Sequence, residues 1–132
     1  MIVVDASVWT EFLTDDAEYG EWARDLVERE DRCLVPEHTR LEVANSIRGK
    51  WMKGIIPEQR ARDAFELLRL LEMSMVPTDQ LLGRVWELRS NVTAYDAAYV
   101  AIAEQRQCAL ATFDLKLIGA PGPKCEFRTP HS

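Results

Sequence analysis

A chain of 132 residues lies within the usual range of one domain, and at that size folding takes roughly two-thirds of the unfolded surface out of water. A hydrophobic share of 47% and a charged share of 29% match ordinary globular domains and exclude a disordered chain or a fibrous repeat. A formal net charge of -6 excludes indiscriminate nucleic-acid binding, which draws its affinity from cations that neutralise phosphates, although Arg40, Arg48, Lys50 and Lys53 form a local basic stretch.

Ile2-Val3-Val4 is a β-branched run that ends at Asp5 and reads as a strand. The run is too short for a signal-peptide core, and none approaches the roughly 20 apolar residues of a membrane span, so the expectation is a cytoplasmic protein without membrane contact. After Ala6-Ser7 a helical pattern carries Val8, Trp9, Phe12 and Leu13. A second helix over about 18–29 has Trp22, Ala23 and Leu26 on its apolar side, and Cys33-Leu34-Val35-Pro36 reads as a strand stopped by proline. Residues 37–53 are helical again and end at Gly54, while Pro57 opens the next helix, which carries Ala61, Ala64, Phe65, Leu68 and Leu71.

Residues 73–76 read as a third strand. Thr78 or Asp79 caps a helix running to about Arg89, and Thr93 caps another running to about Gln105. Residues 108–112 read as a fourth strand, Asp114 starts a short helical turn closed near Gly119, and Pro121-Gly122-Pro123 leads to an edge strand around 125–127. No linker or repeat divides residues 1–132, so a single domain is expected. Short strands alternating with helices imply parallel pairing through right-handed crossovers, hence an α/β fold, a three-layer α/β/α sandwich around a central parallel sheet. Cys33, Cys108 and Cys125 are odd in number and widely spaced, which argues against a disulfide framework and a zinc site.

Four acids stand out. Asp5 follows the first strand, at the edge where open α/β sheets place their ligand crevices, and it is equally a good N-cap for the helix beyond it. Glu42 shares a helix face with Asn45, Ser46 and Gly49 at i, i+3, i+4, i+7 spacing, among small or uncharged neighbours; a solvated helical glutamate is the plainer reading. Asp96 lies in the first turn of a helix apolar nearly all round, where Thr93-x-x-Asp96 also approaches a capping box. Asp114 follows the Ala109-Leu110-Ala111 strand and could cap the next turn. Each acid has a structural explanation alone, but the carboxyl edge of a parallel sheet would gather them. Carboxylates so gathered repel one another and raise their own pKa values, a conflict that a divalent cation relieves. Magnesium suits such a set because it takes hard oxygen ligands and retains water, whereas the imidazole and thiolate groups that zinc prefers are scarce here.

Val3-Val4-Asp5-Ala6-Ser7, Leu41-Glu42-Val43-Ala44-Asn45, the run from Tyr95-Asp96 to Ile102-Ala103, and Ala111-Thr112-Phe113-Asp114 together resemble the PIN domain, in particular the VapC-type toxins of toxin–antitoxin pairs. The resemblance covers nearly the whole chain in order, spacing and length. It implies a sheet of about five parallel strands, magnesium- or manganese-dependent endoribonuclease activity, homodimerisation, and an antitoxin that docks over the active site. Asp5, Glu42, Asp96 and Asp114 match the family's acidic quartet as catalytic and metal-binding residues, with Ser7, Asn45 and Thr112 at supporting positions. Arg40, Arg48 and Lys50 are the candidates for contact with the RNA substrate.

Other magnesium-binding α/β classes fit less well. A haloacid-dehalogenase phosphatase needs an aspartate where Ser7 stands, a receiver domain needs a mid-chain acceptor aspartate after a strand, and no P-loop pattern is present. The alternative from a different class is a noncatalytic PIN-like module that binds RNA or protein.

Overall fold

The computed structural model describes residues 1–131. Strand β1 (Ile2–Val4) is fully buried, as a continuous β-branched run requires when helices cover both faces of a sheet. Helices α1 (Ala6–Thr14) and α2 (Glu18–Arg29) follow, then β2 (Cys33–Pro36), α3 (Thr39–Met52) and α4 (Glu58–Leu70). The second half contains β3 (Ser74–Val76), a 3-10 turn over Thr78–Gln80, α5 (Leu82–Glu87), α6 (Ala94–Arg106), β4 (Leu110–Ala111), α7 (Leu115–Gly119) and β5 (Phe127–Arg128). All strand pairs are parallel, in the order β3-β2-β1-β4-β5. The three-layer sandwich read from the alternation of elements is the fold that forms.

Side-chain alternation along the strands divides the core into two. Ile2, Val4, Cys33, Val35, Ala109 and Ala111 point to one side and pack with α1, α2, α3 and α4. Val3, Leu34, Val76 and Leu110 point to the other and pack mainly with α6, whose buried run from Ala97 to Ala103 explains why that helix is apolar nearly all round. The chain leaves β1 toward the first face and leaves β4, through α7, toward the second. The carboxyl ends of β1 and β4 therefore flank a topological switch point, where open α/β sheets form their crevice.

Local details differ from the sequence expectation. The helix expected from 78 to 89 is split into the 3-10 turn and α5, and the Thr78 side chain makes no cap; its backbone N–H instead donates to Glu37 Oε1 at 2.7 Å. The last strand lies at Phe127–Arg128 rather than 125–127, because its ladder is set by β4: Leu110 N–H donates to Glu126 O at 2.8 Å and Thr112 N–H to Arg128 O at 3.1 Å. Pro57 is the N-cap of α4 rather than its first helical residue. Of the apolar residues that α4 carries, Ala64 and Leu68 are buried and Phe65 is 44% exposed.

Candidate active site

Asp5 is the first residue beyond β1, and its N–H extends the ladder to Ala111 O at 3.1 Å. Its carboxylate caps α1: Oδ1 accepts from Val8 N–H at 3.2 Å and from the Ser7 hydroxyl at 2.5 Å, while Oδ2 accepts from the Thr112 hydroxyl. Both hydroxyls reach onward to the end of β4, since Ser7 Oγ accepts from Phe113 N–H at 3.0 Å and Thr112 Oγ1 from Asp114 N–H at 2.9 Å. Ser7 and Thr112 thus fasten the ends of β1 and β4 around one buried carboxylate. Capping and site-building are the same contact.

Asp114 caps α7 by accepting from Lys116 N–H at 2.9 Å and Leu117 N–H at 3.3 Å. Asp96 enters from the first turn of α6, whose N-cap Thr93 accepts the Asp96 N–H at 3.3 Å. Glu42 comes from α3, and its Oε1 accepts from the Tyr99 hydroxyl at 2.6 Å and stands 3.4 Å from His38 Nε2.

Two of the four acids carry raised carboxyls. Burial pushes the Asp5 carboxyl up to about 6, against the three hydrogen bonds it accepts, and the charge of Asp96 adds to the rise. Burial also raises Asp96, reinforced by the charges of Asp114 and Glu42 and opposed by Thr93 and His38. Among the described residues no lysine or arginine forms an ion pair with any of the four. Uncompensated charges in a partly desolvated crevice call for an external cation. Among the described residues no three His, Cys, Asp or Glu side chains form a ready-made cage for an ion. An all-oxygen set without a ready-made cage fits a cation that keeps much of its water, as magnesium does.

A groove between α1 and α3 abuts the acids at Ser7 and is lined by Asn45, Ser46, Gly49, Lys50 and Lys53. Of the polar face read from the sequence, Asn45, Ser46 and Gly49 form this wall and Glu42 does not; a Cβ at Gly49 would meet nothing within 4 Å. The expected basic cluster is dispersed. The Arg40 guanidinium donates to the carbonyls of Leu68 and, at 2.6 Å, of Leu71, closing the end of α4. Lys50 Nζ lies 2.8 Å from Glu11 Oε1 and 2.8 Å from Thr14 Oγ1, bracing α1 against α3. Arg48 and Lys53 remain exposed.

Sequence reasoning missed Tyr99 and Thr39. Both are buried, and Thr39 Oγ1 lies 2.8 Å from the Tyr99 hydroxyl. A signal was present: a tyrosine within an otherwise buried apolar helix needs a partner for its hydroxyl, and Tyr99 follows Asp96 by one turn.

A crevice of acids at the switch point of a five-stranded parallel sheet defines a class of α/β domains. The chain belongs to the PIN-domain family, whose profile matches residues 2–122. It is 38% identical over 125 residues to Ribonuclease VapC9 of Mycobacterium tuberculosis, covering 95% of this chain and 94% of that protein. It is 34% identical over 127 residues to Ribonuclease VapC1 of the same organism, covering 96% and 95%. In fold it is similar to VapC20 of Mycobacterium tuberculosis, a toxin that cleaves the sarcin–ricin loop, with a TM-score of 0.65 and 16% identity over 89% of this chain and 93% of that one. A chain of VapBC2 from Rickettsia felis, bound to a DNA fragment from its promoter, matches with a TM-score of 0.66 and 11% identity over 98% of each.

Proposed function

We propose that this protein is a divalent-metal-dependent endoribonuclease acting as the toxin of a toxin–antitoxin pair. Kinship with VapC ribonucleases along nearly the full chain supplies the reaction class. The observation that carries the site is the acid quartet at the switch-point crevice, with which no lysine or arginine among the described residues forms an ion pair. Asp5 and Asp96 are assigned as direct ligands, with Glu42 and Asp114 completing the shell through water or orienting the attacking water. Magnesium is the assigned ion and manganese its substitute.

A divalent cation in this crevice supplies positive charge to the scissile phosphate and to the oxygen that leaves. The residues of the chain do the rest. Ser7, Thr112 and Val8 N–H hold the Asp5 carboxylate in one orientation, so no rotamer search accompanies binding. A carboxylate beside the water accepts its proton as the new P–O bond forms and the leaving oxygen departs. Exposed Arg48, and Lys53 along the groove, are assigned to RNA phosphates in this reading, and Asn45 offers an amide on the groove wall.

An antitoxin is the protein partner in this reading, and a homodimer is the assembly. Exposed Trp51, Met52, Ile55 and Phe65 around the end of α3 and on α4 supply apolar surface for protein contacts. Among the described residues no helix is long and apolar enough to cross a membrane, in keeping with the cytoplasmic location this reading assigns.

The test is cleavage of mixed RNA by purified, antitoxin-free protein in magnesium, in manganese and in chelator, with Asp96→Asn alongside. Metal-dependent cutting that disappears in the folded variant supports the assignment. Metal-independent cutting, or full turnover by the variant, defeats it, and absence of both metal binding and cutting favours the noncatalytic module.

A further inference from the structure

Asp5 and Asp114 are aimed by the backbone N–H groups of the turns they cap. Glu42 has no such support: it reaches the crevice on a longer side chain from the first turn of α3. What holds it is a pair of buried hydroxyls. Tyr99 is 1% exposed and Thr39 is 0% exposed, their oxygens are 2.8 Å apart, and Tyr99 stands 2.6 Å from Glu42 Oε1. A phenol has one hydrogen to give. With that hydrogen on the carboxylate, the Tyr99 oxygen accepts from Thr39, and the chain of donors runs from Thr39 through Tyr99 to Glu42.

We propose that the Thr39–Tyr99 hydroxyl pair positions Glu42, tying down Oε1 and leaving Oε2 as the oxygen that serves the metal crevice. The inference rests on the nuclease reading of the site and adds two positioning residues to it. Thr39 alone could satisfy the phenol; the second contact is spent on a charged group at the crevice, where a hydrogen bond to an ionised acceptor is stronger than a neutral one. His38 flanks the same Oε1 at 3.4 Å and packs edge-on against the Tyr99 ring, which closes that side of the carboxylate. Tyr99 also lies one turn beyond Asp96 on α6, so one helix face carries a ligand and the group that orients its neighbour. The placement of Glu42 relative to Asp96 is thereby tied to the contact that the first turn of α3, just beyond β2, makes with Tyr99 of α6.

Three measurements test this on the full chain. In metal-free protein, carbon NMR of the glutamate carboxyl groups follows Glu42 directly, and Tyr99→Phe, which removes one oxygen, is expected to shift its signal. Manganese affinity, read by electron paramagnetic resonance, is expected to fall by about 10–100-fold, the usual cost of removing such a partner. In a Glu42→Gln background the same Tyr99→Phe change is expected to cost nothing more, because the hydroxyl acts through that carboxylate. Thr39→Val should move both readouts in the same direction, Thr39→Ser should restore them, and Thr39→Val also decides the matter if Tyr99→Phe does not fold. An unmoved Glu42 signal with unchanged manganese affinity overturns the proposal, as does an equal loss in the Glu42→Gln background. If the unaltered protein neither binds manganese nor cuts RNA, the nuclease reading fails, while the Glu42 signal still decides the positioning.

Discussion

Neutralising Asp5 is expected to make the metal-free protein more stable at neutral pH. Asp5 is 6% exposed, and its carboxyl is raised from 3.8 to about 6, first by burial. The fold therefore prefers the protonated form: this group's contribution to stability is complete below 3.8 and is lost as pH rises through 6. A rise of that size corresponds to about 3 kcal/mol at neutral pH. Asp5→Asn preserves the shape and keeps Oδ1 as acceptor for Ser7 and Val8. It puts an amide NH2 where Oδ2 accepted from Thr112. The Thr112 oxygen can take that new donor beside Asp114 N–H, but its own hydrogen loses its acceptor, at a cost of about 1 kcal/mol. The variant should gain about 2 kcal/mol at pH 7.5. Urea unfolding of both proteins in chelator at pH 7.5 and pH 4 reads the difference, which should vanish or reverse at the lower pH. A variant less stable than the parent at pH 7.5, or a difference that ignores pH, would show that the Asp5 charge carries no such penalty.

Arg40→Ala should lower stability by about 1–3 kcal/mol, because two carbonyls at the end of α4 lose their charged donor, without changing the salt dependence of RNA binding. Arg48→Ala should do the reverse, leaving thermal unfolding alone while reducing the slope of log affinity against log salt by about 1; a filter-binding titration over salt separates them. Gly20→Ala should destabilise by at least about 2 kcal/mol in urea unfolding, since a Cβ there would lie 1.8 Å from the Asp15 carbonyl oxygen where α2 turns against α1.

Sequence carried most of the fold because the dominant signals were physical and local. Ile2-Val3-Val4 could be read as a strand since a sheet covered on both faces asks for a run rather than an alternation, and Asp5 could be placed at the carboxyl edge of the sheet since its strand ended there. The last strand was misplaced because two residues of edge pairing take their register from β4, which no pattern within 125–128 encodes. The basic stretch misled through geometry. At 3.6 residues per turn, Arg40, Arg48 and Lys50 leave α3 in different directions, toward α4, solvent and α1. Tyr99 and Thr39 lie sixty residues apart in sequence and meet only because α6 packs on β2, at whose carboxyl end α3 starts.

For Asp5 and Asp114 the question that sequence left open, cap or ligand, does not force a choice. Asp5 and Asp114 cap α1 and α7, and capping is what aims them: a helix N-terminus supplies both the N–H groups that hold a carboxylate still and a dipole that tolerates its charge. That tolerance is incomplete, as the raised Asp5 and Asp96 show. The fold keeps a concentration of negative charge that local hydrogen bonds do not neutralise. On the proposed function, a cation that relieved it would stabilise the folded state by its binding free energy, so the same acids that weaken the metal-free fold would couple metal binding to stability. Chelator and Asp5→Asn should therefore act on stability in opposite senses, a pairing that a purely structural set of helix caps would not produce.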